Sequence, residues 1–277
     1  MNVLVASDLD RTLIYSKAAA RLGLAPEEPT PELVCVEEYE GAPMSFVTRR
    51  AGALLAELAE HSTFVPTTTR TREQYGRIVL PGRAPEFAIC ANGGHLLVHG
   101  ESDPDWHAGV RKTLAAKAAP LPEVIAHLEV VARPEWTLKL RVAEDLFGYL
   151  VVERAALPPE FVPELTEWAN ARGYGVSLQG RKLYLVPDAL TKGDAVREVA
   201  RRASADAVFA AGDSLLDIEL LRAAVAGVRP GHGELADSNW SAPHVEALAA
   251  MGLSAGERIA EWLLEHSRGR ARPVVGA

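Results

Sequence analysis

Two pairs of carboxylates stand where short apolar runs of the sequence end. Asp8 and Asp10 follow the first run of the chain, and Asp213 and Asp217 follow a later run, AVFAA. Each pair is also compatible with a capped turn or a helix start, because Asp accepts hydrogen bonds from backbone N–H groups and suits the positive end of the helix dipole. Four carboxylates that converge in one cleft need a cation, and a hard, oxygen-seeking ion such as Mg²⁺ fits them.

A lysine and a run of threonines add groups that suit anions. Lys192 follows Thr191 in the first turn of a predicted helix, where a cation opposes the helix dipole by up to about 1 kcal/mol. A phosphate-binding role would explain this lysine, since helix N-termini attract anions. Thr67, Thr68 and Thr69 end another apolar run and offer hydroxyl and N–H donors. The plainer interpretations, an exposed lysine and a capping turn, stay open.

These residue types in combination predict a site for phosphoryl transfer. An aspartate would attack phosphorus, a metal would neutralise the approaching anions, and a lysine and a hydroxyl would hold the phosphoryl oxygens. A second acid would protonate the leaving oxygen and later activate water.

Such a site requires a fold that brings distant segments together. Residues 3–7, 63–66 and 207–211 each have the pattern of a short, fully buried strand that ends in polar residues. In open α/β sheets, ligands bind outside the carboxyl ends of the strands, so these three ends are expected to meet. Thr48 and Thr191 are candidate N-caps for helices. Helices are predicted over residues 48–61, 191–203, 215–225 and 255–266. This alternation indicates a doubly wound α/β fold.

The middle of the chain has a different pattern. We predict helices over residues 106–118 and 159–172, and strands over residues 127–131, 136–142, 149–153, 175–179 and 182–186. The predicted organisation is therefore a Rossmann-like α/β core, residues 1–103 and 187–277, with a smaller α+β cap domain inserted at residues 104–186. A small β-hairpin is predicted beside the first strand, in the long connection between residues 14 and 48.

Composition excludes several classes of protein. The 277-residue chain has a formal net charge of −8 and a pI of about 5.6, which argues against a nucleic-acid polymer as partner. Its two cysteines exclude a disulfide framework and suit a reducing cytosol, so a cytoplasmic location is expected. There is no secretory signal, no apolar run of membrane-spanning length and no zinc-like spacing of histidines. The oligomeric state cannot be derived from the sequence.

Four motifs resemble, in order, those of the haloacid dehalogenase (HAD) superfamily of phosphatases. Residues 8–13 (DLDRTL) resemble the first motif, DxDGTL, and residues 68–70 (TTR) resemble the second, TGR. Lys192-Gly193 matches the third, and residues 212–217 (GDSLLD) match the fourth, GDSxxD. Residues 89–94 (ICANGG) resemble the ENGA segment of the Cof-type and sucrose-phosphatase-like branch. In that branch a type II cap lies between the second and third motifs, and the resemblance covers essentially the whole chain.

The resemblance implies roles for the acidic residues. Asp8 would be the nucleophile that becomes aspartyl-phosphate, and Asp10 would be the general acid and base. Mg²⁺ would be held by the carboxylates of Asp8 and Asp213 and by the backbone carbonyl of Asp10. Asp217 would support the metal directly or through water.

The resemblance also implies that Thr68 and Lys192 bind the phosphoryl group, and it draws attention to three departures. Thr69 replaces the usual glycine of the second motif, which leaves open which threonine donates. Arg11 stands where the family usually has glycine, and it either adjusts the phosphate side of the site or points to solvent. Leu216 stands where Cof-type members often have asparagine.

The leading hypothesis is a Mg²⁺-dependent phosphomonoester hydrolase acting on a small metabolite, with a sugar phosphate or a phosphoglycerate-linked sugar favoured over a nucleotide. A phosphomutase would use the same aspartyl-phosphate, and a catalytically silent protein could use the cleft to bind a phosphorylated ligand. The cap also offers candidate substrate-reading residues, although solvated charges on a sheet face explain them more simply: Lys139, Arg141, Arg181 and Lys182.

Overall fold

The computed structural model describes residues 2–269 of the chain. The strands are β1 (Val3–Ser7), β2 (Tyr15–Ser16), β3 (Leu33–Tyr39), β4 (Ala42–Thr48), β5 (Thr63–Pro66), β6 (Phe87–Cys90), β7 (His95–Val98), β8 (Glu101–Ser102), β9 (Thr137–Ala143), β10 (Phe147–Val152), β11 (Tyr174–Gln179), β12 (Lys182–Pro187), β13 (Ala207–Ala211), β14 (Ala226–Arg229) and β15 (Val245–Ala247). The α-helices are α1 (Arg49–His61), α2 (Arg72–Tyr75), α3 (Pro104–Lys117), α4 (Leu121–Val131), α5 (Phe161–Asn170), α6 (Lys192–Arg202), α7 (Ile218–Arg222), α8 (Glu234–Asp237) and α9 (Gly252–Ser267). Short 3₁₀ helices cover Ala19–Arg21, Ala91–Gly93, Arg154–Ala156 and Leu215–Asp217.

A five-stranded parallel sheet, in the order β15-β14-β13-β1-β5, forms the centre of the core. Every residue of β1 is buried, as expected for an inner strand covered on both faces. Because β13, β1 and β5 are adjacent and parallel, their carboxyl ends meet at one edge of the sheet. The three strands predicted from buried apolar runs are therefore confirmed, together with their convergence.

Helices cover both faces of this sheet. Val3 and Val5 point to the face covered by α1 and α9, whereas Leu4 and Ala6 point to the face covered by α6 and α7. This alternation follows from the two-residue period of a strand. The doubly wound fold is confirmed, and so are the predicted N-caps: Thr48 accepts from the backbone of α1, and Thr191 accepts from that of α6. No helix between residues 2 and 269 combines the length and apolar character needed to cross a bilayer.

The cap is built on a four-stranded antiparallel sheet, in the order β11-β12-β10-β9, which packs against α4 and α5. The strand predicted over residues 127–131 is wrong, since these residues form the second half of α4. An apolar run of this length fits either structure, but Val124 and Leu128, one helical turn apart, are the residues that α4 buries. The domain boundaries at 103/104 and 186/187 stay a prediction, and residues 1 and 270–277 of the predicted core lie outside the described part.

The hairpin predicted between residues 14 and 48 is confirmed. Strands β3 and β4 pair antiparallel, and β2 adds a short third strand beside β4. Glu40 and Gly41 form the two-residue turn, and both have positive φ (51° and 74°). Two consecutive residues of positive φ match the twist of a tight hairpin.

The cap rests on the core through two carboxylates. Glu144, in the turn between β9 and β10, accepts three hydrogen bonds from Arg72 of α2, at 2.8 to 3.2 Å. Glu234 of α8 accepts from the Ser177 hydroxyl at 2.5 Å and from the Leu178 backbone at 2.6 Å, both in β11. These contacts fix the cap over the carboxyl edge of the parallel sheet.

His95, next to the first of these contacts, makes stability depend on pH. Its ring is stacked on His107 at 4.1 Å, and its side chain is 4% exposed. Burial, with the adjacent His107 and Arg72, lowers the pKa of His95 from 6.5 to about 4, although Glu144 opposes this. The unfolded chain then binds a proton between pH 6.5 and 4 that folded His95 does not, so the free energy of unfolding falls as pH falls through this window, by up to about 3 kcal/mol.

Replacing His95 with asparagine should therefore reduce this loss of stability. Urea unfolding at pH 7 and pH 4.5 measures it, with His61→Gln, an exposed histidine, as the matched control. The same pH dependence in His95→Asn and wild type would contradict the assignment.

Candidate active site

Lys192 joins two aspartates in the interior. Its Nζ donates to Asp8 Oδ1 and to Asp217 Oδ1, each at 2.6 Å. Lys192 is only 1% exposed, so the alternative of an inconsequential surface lysine is wrong. Three elements meet here: the carboxyl end of β1, the N-terminus of α6 and the 3₁₀ helix after β13.

The residues before α6 hold Lys192 at this place. In the ICANGG segment, Asn92 Nδ2 donates to the Leu190 carbonyl at 2.7 Å. Gly93 has a φ of 103°, and a Cβ there would lie 2.3 Å from the Thr191 carbonyl oxygen. Only glycine fits such a close approach, so this segment positions the start of α6 and, through it, Lys192.

The loop after β13 is organised by Asp217. Its Oδ2 accepts from the backbone N–H groups of Asp213 at 3.1 Å and Ser214 at 2.9 Å, and from the Ser214 hydroxyl at 2.7 Å. A Cβ on Gly212 would lie 2.4 Å from the Asp217 Cβ, which explains the glycine. Asp217 thus caps the loop and also contacts Lys192, so the capping interpretation is confirmed, and the role of Asp217 at a metal stays a prediction. The α-helix is shorter than the predicted 215–225. Residues 215–217 form a 3₁₀ turn, and the α-helix covers only Ile218–Arg222.

The acidic residues suit a divalent cation. Asp8, Asp213 and Asp217 are all buried, and one carboxylate oxygen from each lies within 4.8 Å of the others. Their three potential negative charges face one lysine and Arg11, whose Nε lies 3.6 Å from Asp213 Oδ2. Buried like charges are costly unless something neutralises them, and hard oxygen ligands match Mg²⁺ in chemical type.

Burial and mutual repulsion also shift the pKa values of these groups. Burial raises the pKa of Asp8 to about 7 in spite of Lys192, and Asp217 adds to the rise. Burial and the charges of Asp8 and Asp217 raise the pKa of Asp213 well above its usual range. Burial lowers the pKa of Lys192, but the ion pairs with Asp217 and Asp8 outweigh it and raise the value. Lys192 is therefore charged at neutral pH.

Asp10 is held separately, by Arg70. The guanidinium donates from Nε to Oδ2 at 2.7 Å and from Nη2 to Oδ1 at 2.8 Å, a bidentate ion pair. Burial raises the pKa of Asp10, but Arg70 outweighs it and lowers the value to about 2. The sequence indicated Arg70 only as the last residue of the second motif. It gave no sign that Arg70 would also donate to Glu37, 33 residues earlier, at 2.7 Å.

The two threonines and Arg11 have separate places. Thr68 is fully buried and accepts from the Arg70 backbone at 3.1 Å, whereas Thr69 lies against Tyr184 of the cap. Arg11 has a φ of 66°, a left-handed conformation that glycine adopts without strain and other residues adopt rarely. Since Arg11 faces Asp213, the alternative in which it only points to solvent is wrong. The phosphate-binding role of Thr68 stays a prediction.

One of the four basic cap residues is directed at the core. The charge of Lys182 acts on Asp10, and its Nζ lies 5.9 Å from the centre of the Tyr149 ring. The other three, largely in contact with solvent, are Lys139, Arg141 and Arg181.

The parallel core with an antiparallel cap inserted after the second motif is a fold that this chain shares with solved phosphatases of the HAD superfamily. No protein-family model matches the chain, and no curated protein matches it in sequence. Solved structures do match the chain, and they confirm the fold that the predicted resemblance implied.

Three solved structures illustrate the likeness. The sucrose-phosphatase of Synechocystis sp. PCC6803, in complex with sucrose and phosphate, has a TM-score of 0.61 and 16% identity over 97% of this chain and 99% of that one. A trehalose-6-phosphate phosphatase related protein has a TM-score of 0.55 and 18% identity over 97% and 100% of the two chains. A subclass IIB sugar phosphatase of the HAD superfamily has a TM-score of 0.56 and 16% identity over 98% and 100%.

Proposed function

We propose that this chain is a Mg²⁺-dependent phosphomonoester hydrolase acting on a small phosphorylated metabolite, with a sugar phosphate favoured. The observation that carries the proposal is the 2.6 Å contact between Lys192 and Asp8, a buried lysine on a buried carboxylate at a strand end. Lys192 can bind a phosphoryl oxygen while Asp8 attacks phosphorus. The preference for a sugar phosphate is supported by the neighbours named for sucrose and trehalose-6-phosphate.

The proposed reaction has two steps. A carboxylate oxygen of Asp8 attacks phosphorus, the P–O bond to the substrate alcohol breaks, and the leaving oxygen takes a proton from Asp10. Water then attacks the phosphorus of the aspartyl-phosphate and gives a proton to Asp10, while the P–O bond to Asp8 breaks and inorganic phosphate forms. Lys192 and Thr68 hold the phosphoryl oxygens in both steps.

The acidic residues supply the rest of the site. Asp8, Asp213 and the backbone carbonyl of Asp10, supported by Asp217, would hold Mg²⁺, which when bound supplies positive charge to the phosphoryl oxygens. Arg70 favours the ionised form of Asp10, which suits the second step, in which Asp10 accepts a proton. A dianionic phosphoryl group nearby favours protonation of Asp10, which the first step needs.

The test is release of inorganic phosphate from p-nitrophenyl phosphate, a panel of sugar phosphates and a panel of nucleotides, with Mg²⁺ or with EDTA. We expect turnover that requires Mg²⁺ and is fastest with a sugar phosphate. Conversion of a sugar phosphate to its isomer without net phosphate release would indicate a phosphomutase instead. Binding of sugar phosphates without any turnover would indicate a catalytically silent binding protein.

A further inference from the structure

The β3–β4 hairpin carries a buried acid whose position a regular strand would not produce. Val36 and Glu37 are consecutive, yet both are buried, at 2% and 5% exposure. The pairing of β3 with β4 shifts register on both sides of Glu37. Such a bulge turns a side chain that alternation would place outside, and bulges are frequent beside active sites.

Glu37 has a partner at each oxygen. Its Oε1 accepts from Arg70 Nη1 at 2.7 Å and lies 3.5 Å from Arg77 Nε. Its Oε2 accepts from the Ser45 hydroxyl at 2.5 Å, across the hairpin. Ser45 Oγ in turn lies 3.3 Å from Arg70 Nη2. The hairpin residues Glu37 and Ser45 therefore bind the edge of the Arg70 guanidinium that faces away from Asp10.

The inner side of the same guanidinium holds Asp10. Arg70 is 11% exposed, and its planar fork is fixed between Glu37 on one side and both carboxylate oxygens of Asp10 on the other. A guanidinium held at both sides has one orientation, and a bidentate partner must adopt the matching one.

We infer that Glu37 is a positioning residue: through Arg70 it fixes the orientation of the Asp10 carboxyl toward the reacting phosphoryl group. This inference rests on the proposed function, in which Asp10 protonates the leaving oxygen. A poor leaving group needs the proton from Asp10 in order to depart, whereas a good leaving group does not. A misoriented Asp10 should therefore slow hydrolysis of an ester with a poor leaving group more than that of an ester with a good one.

The kinetic test compares phenyl phosphate with p-nitrophenyl phosphate, two esters of similar size whose leaving groups differ in acidity. In Glu37→Gln, which keeps the shape of the side chain, kcat/KM for phenyl phosphate should fall about tenfold or more, and that for p-nitrophenyl phosphate clearly less. Ser45→Ala should show the same pattern to a smaller extent. Glu38→Gln, an exposed neighbour on the same strand, should leave both values unchanged. Equal losses with both esters, or no loss, would overturn the inference.

A second measurement needs no turnover. The Nε–H of Arg70, buried on Asp10, should give a slowly exchanging NMR signal that is identified by its absence in Arg70→Lys. Glu37→Gln should shift or broaden this signal, whereas Glu38→Gln should not. An unchanged signal in Glu37→Gln refutes the positioning role. A wild-type protein that releases phosphate from neither ester, and from no sugar phosphate or nucleotide, refutes the proposed function.

Discussion

Replacing Asp8 with asparagine is expected to lower kcat by about 10⁴-fold or more, because the amide keeps the shape of the side chain but cannot attack phosphorus. Asp8 lies at the carboxyl end of β1, and Lys192 donates to it at 2.6 Å. An amide oxygen can still accept that hydrogen bond, so the variant should bind phosphorylated ligands and not turn them over. Phosphate release with Mg²⁺ measures the first effect, and ligand-dependent thermal shift measures the second.

The fold of this variant should not suffer. Burial and Asp217 raise the pKa of Asp8, so its charge is unfavourable when no metal is bound, and Lys192 keeps Asp217 as a partner after the change. The free energy of unfolding without metal should therefore fall by no more than about 1 kcal/mol, or rise. Asp105→Asn, an exposed aspartate of α3, is the matched control. Turnover by Asp8→Asn within tenfold of the control would contradict Asp8 as nucleophile.

Most of this site could be predicted because its parts are local in the sequence. A buried apolar run followed by acids identifies both a parallel strand and the edge of the sheet where ligands bind. Thr191 and Lys192 could be placed in the same way, since a cap residue marks the first turn of a helix. The motifs supplied the order of these segments, and the adjacency of β13, β1 and β5 agrees with it.

The features that the sequence did not predict depend on tertiary contacts. Residues 127–131 have the composition of a strand or a buried helix, and the packing of α4 on the cap sheet decides between them. Glu37 follows Val34 and Val36 in an alternating pattern that predicts an outward side chain, and the bulge reverses it. The ion pair between Arg70 and Asp10 joins residues 60 positions apart, which no local pattern encodes.

The electrostatics of the site depend on Lys192 more than on any acid. Its single ammonium contacts two carboxylates, both of which are almost inaccessible to water. Removing an acid reduces a surplus of negative charge, whereas removing the lysine leaves buried carboxylates without their cation. The two changes should therefore both abolish catalysis, but the loss of the lysine should cost far more stability than the loss of the acid.

Lys192→Met is accordingly expected to abolish turnover and to lower the free energy of unfolding by about 3 to 5 kcal/mol in the absence of metal. Methionine fills a similar volume, so the loss comes from the unpaired charges of Asp8 and Asp217 and not from a cavity. Urea unfolding at pH 8 in EDTA measures it, with Lys112→Met, an exposed lysine of α3, as the control that should stay within about 0.5 kcal/mol of wild type.

The loss of stability in Lys192→Met should depend on pH, whereas a loss caused by packing alone would not. Without Lys192, the pKa of Asp8 rises further above its value in the unfolded chain, so the folded protein takes up a proton first as pH falls. A neutral carboxyl needs no cation, and the difference in stability from wild type should shrink between pH 8 and pH 5. A deficit of constant size across this range would show that Lys192 stabilises the fold by its volume, and that its charge does not hold the carboxylates.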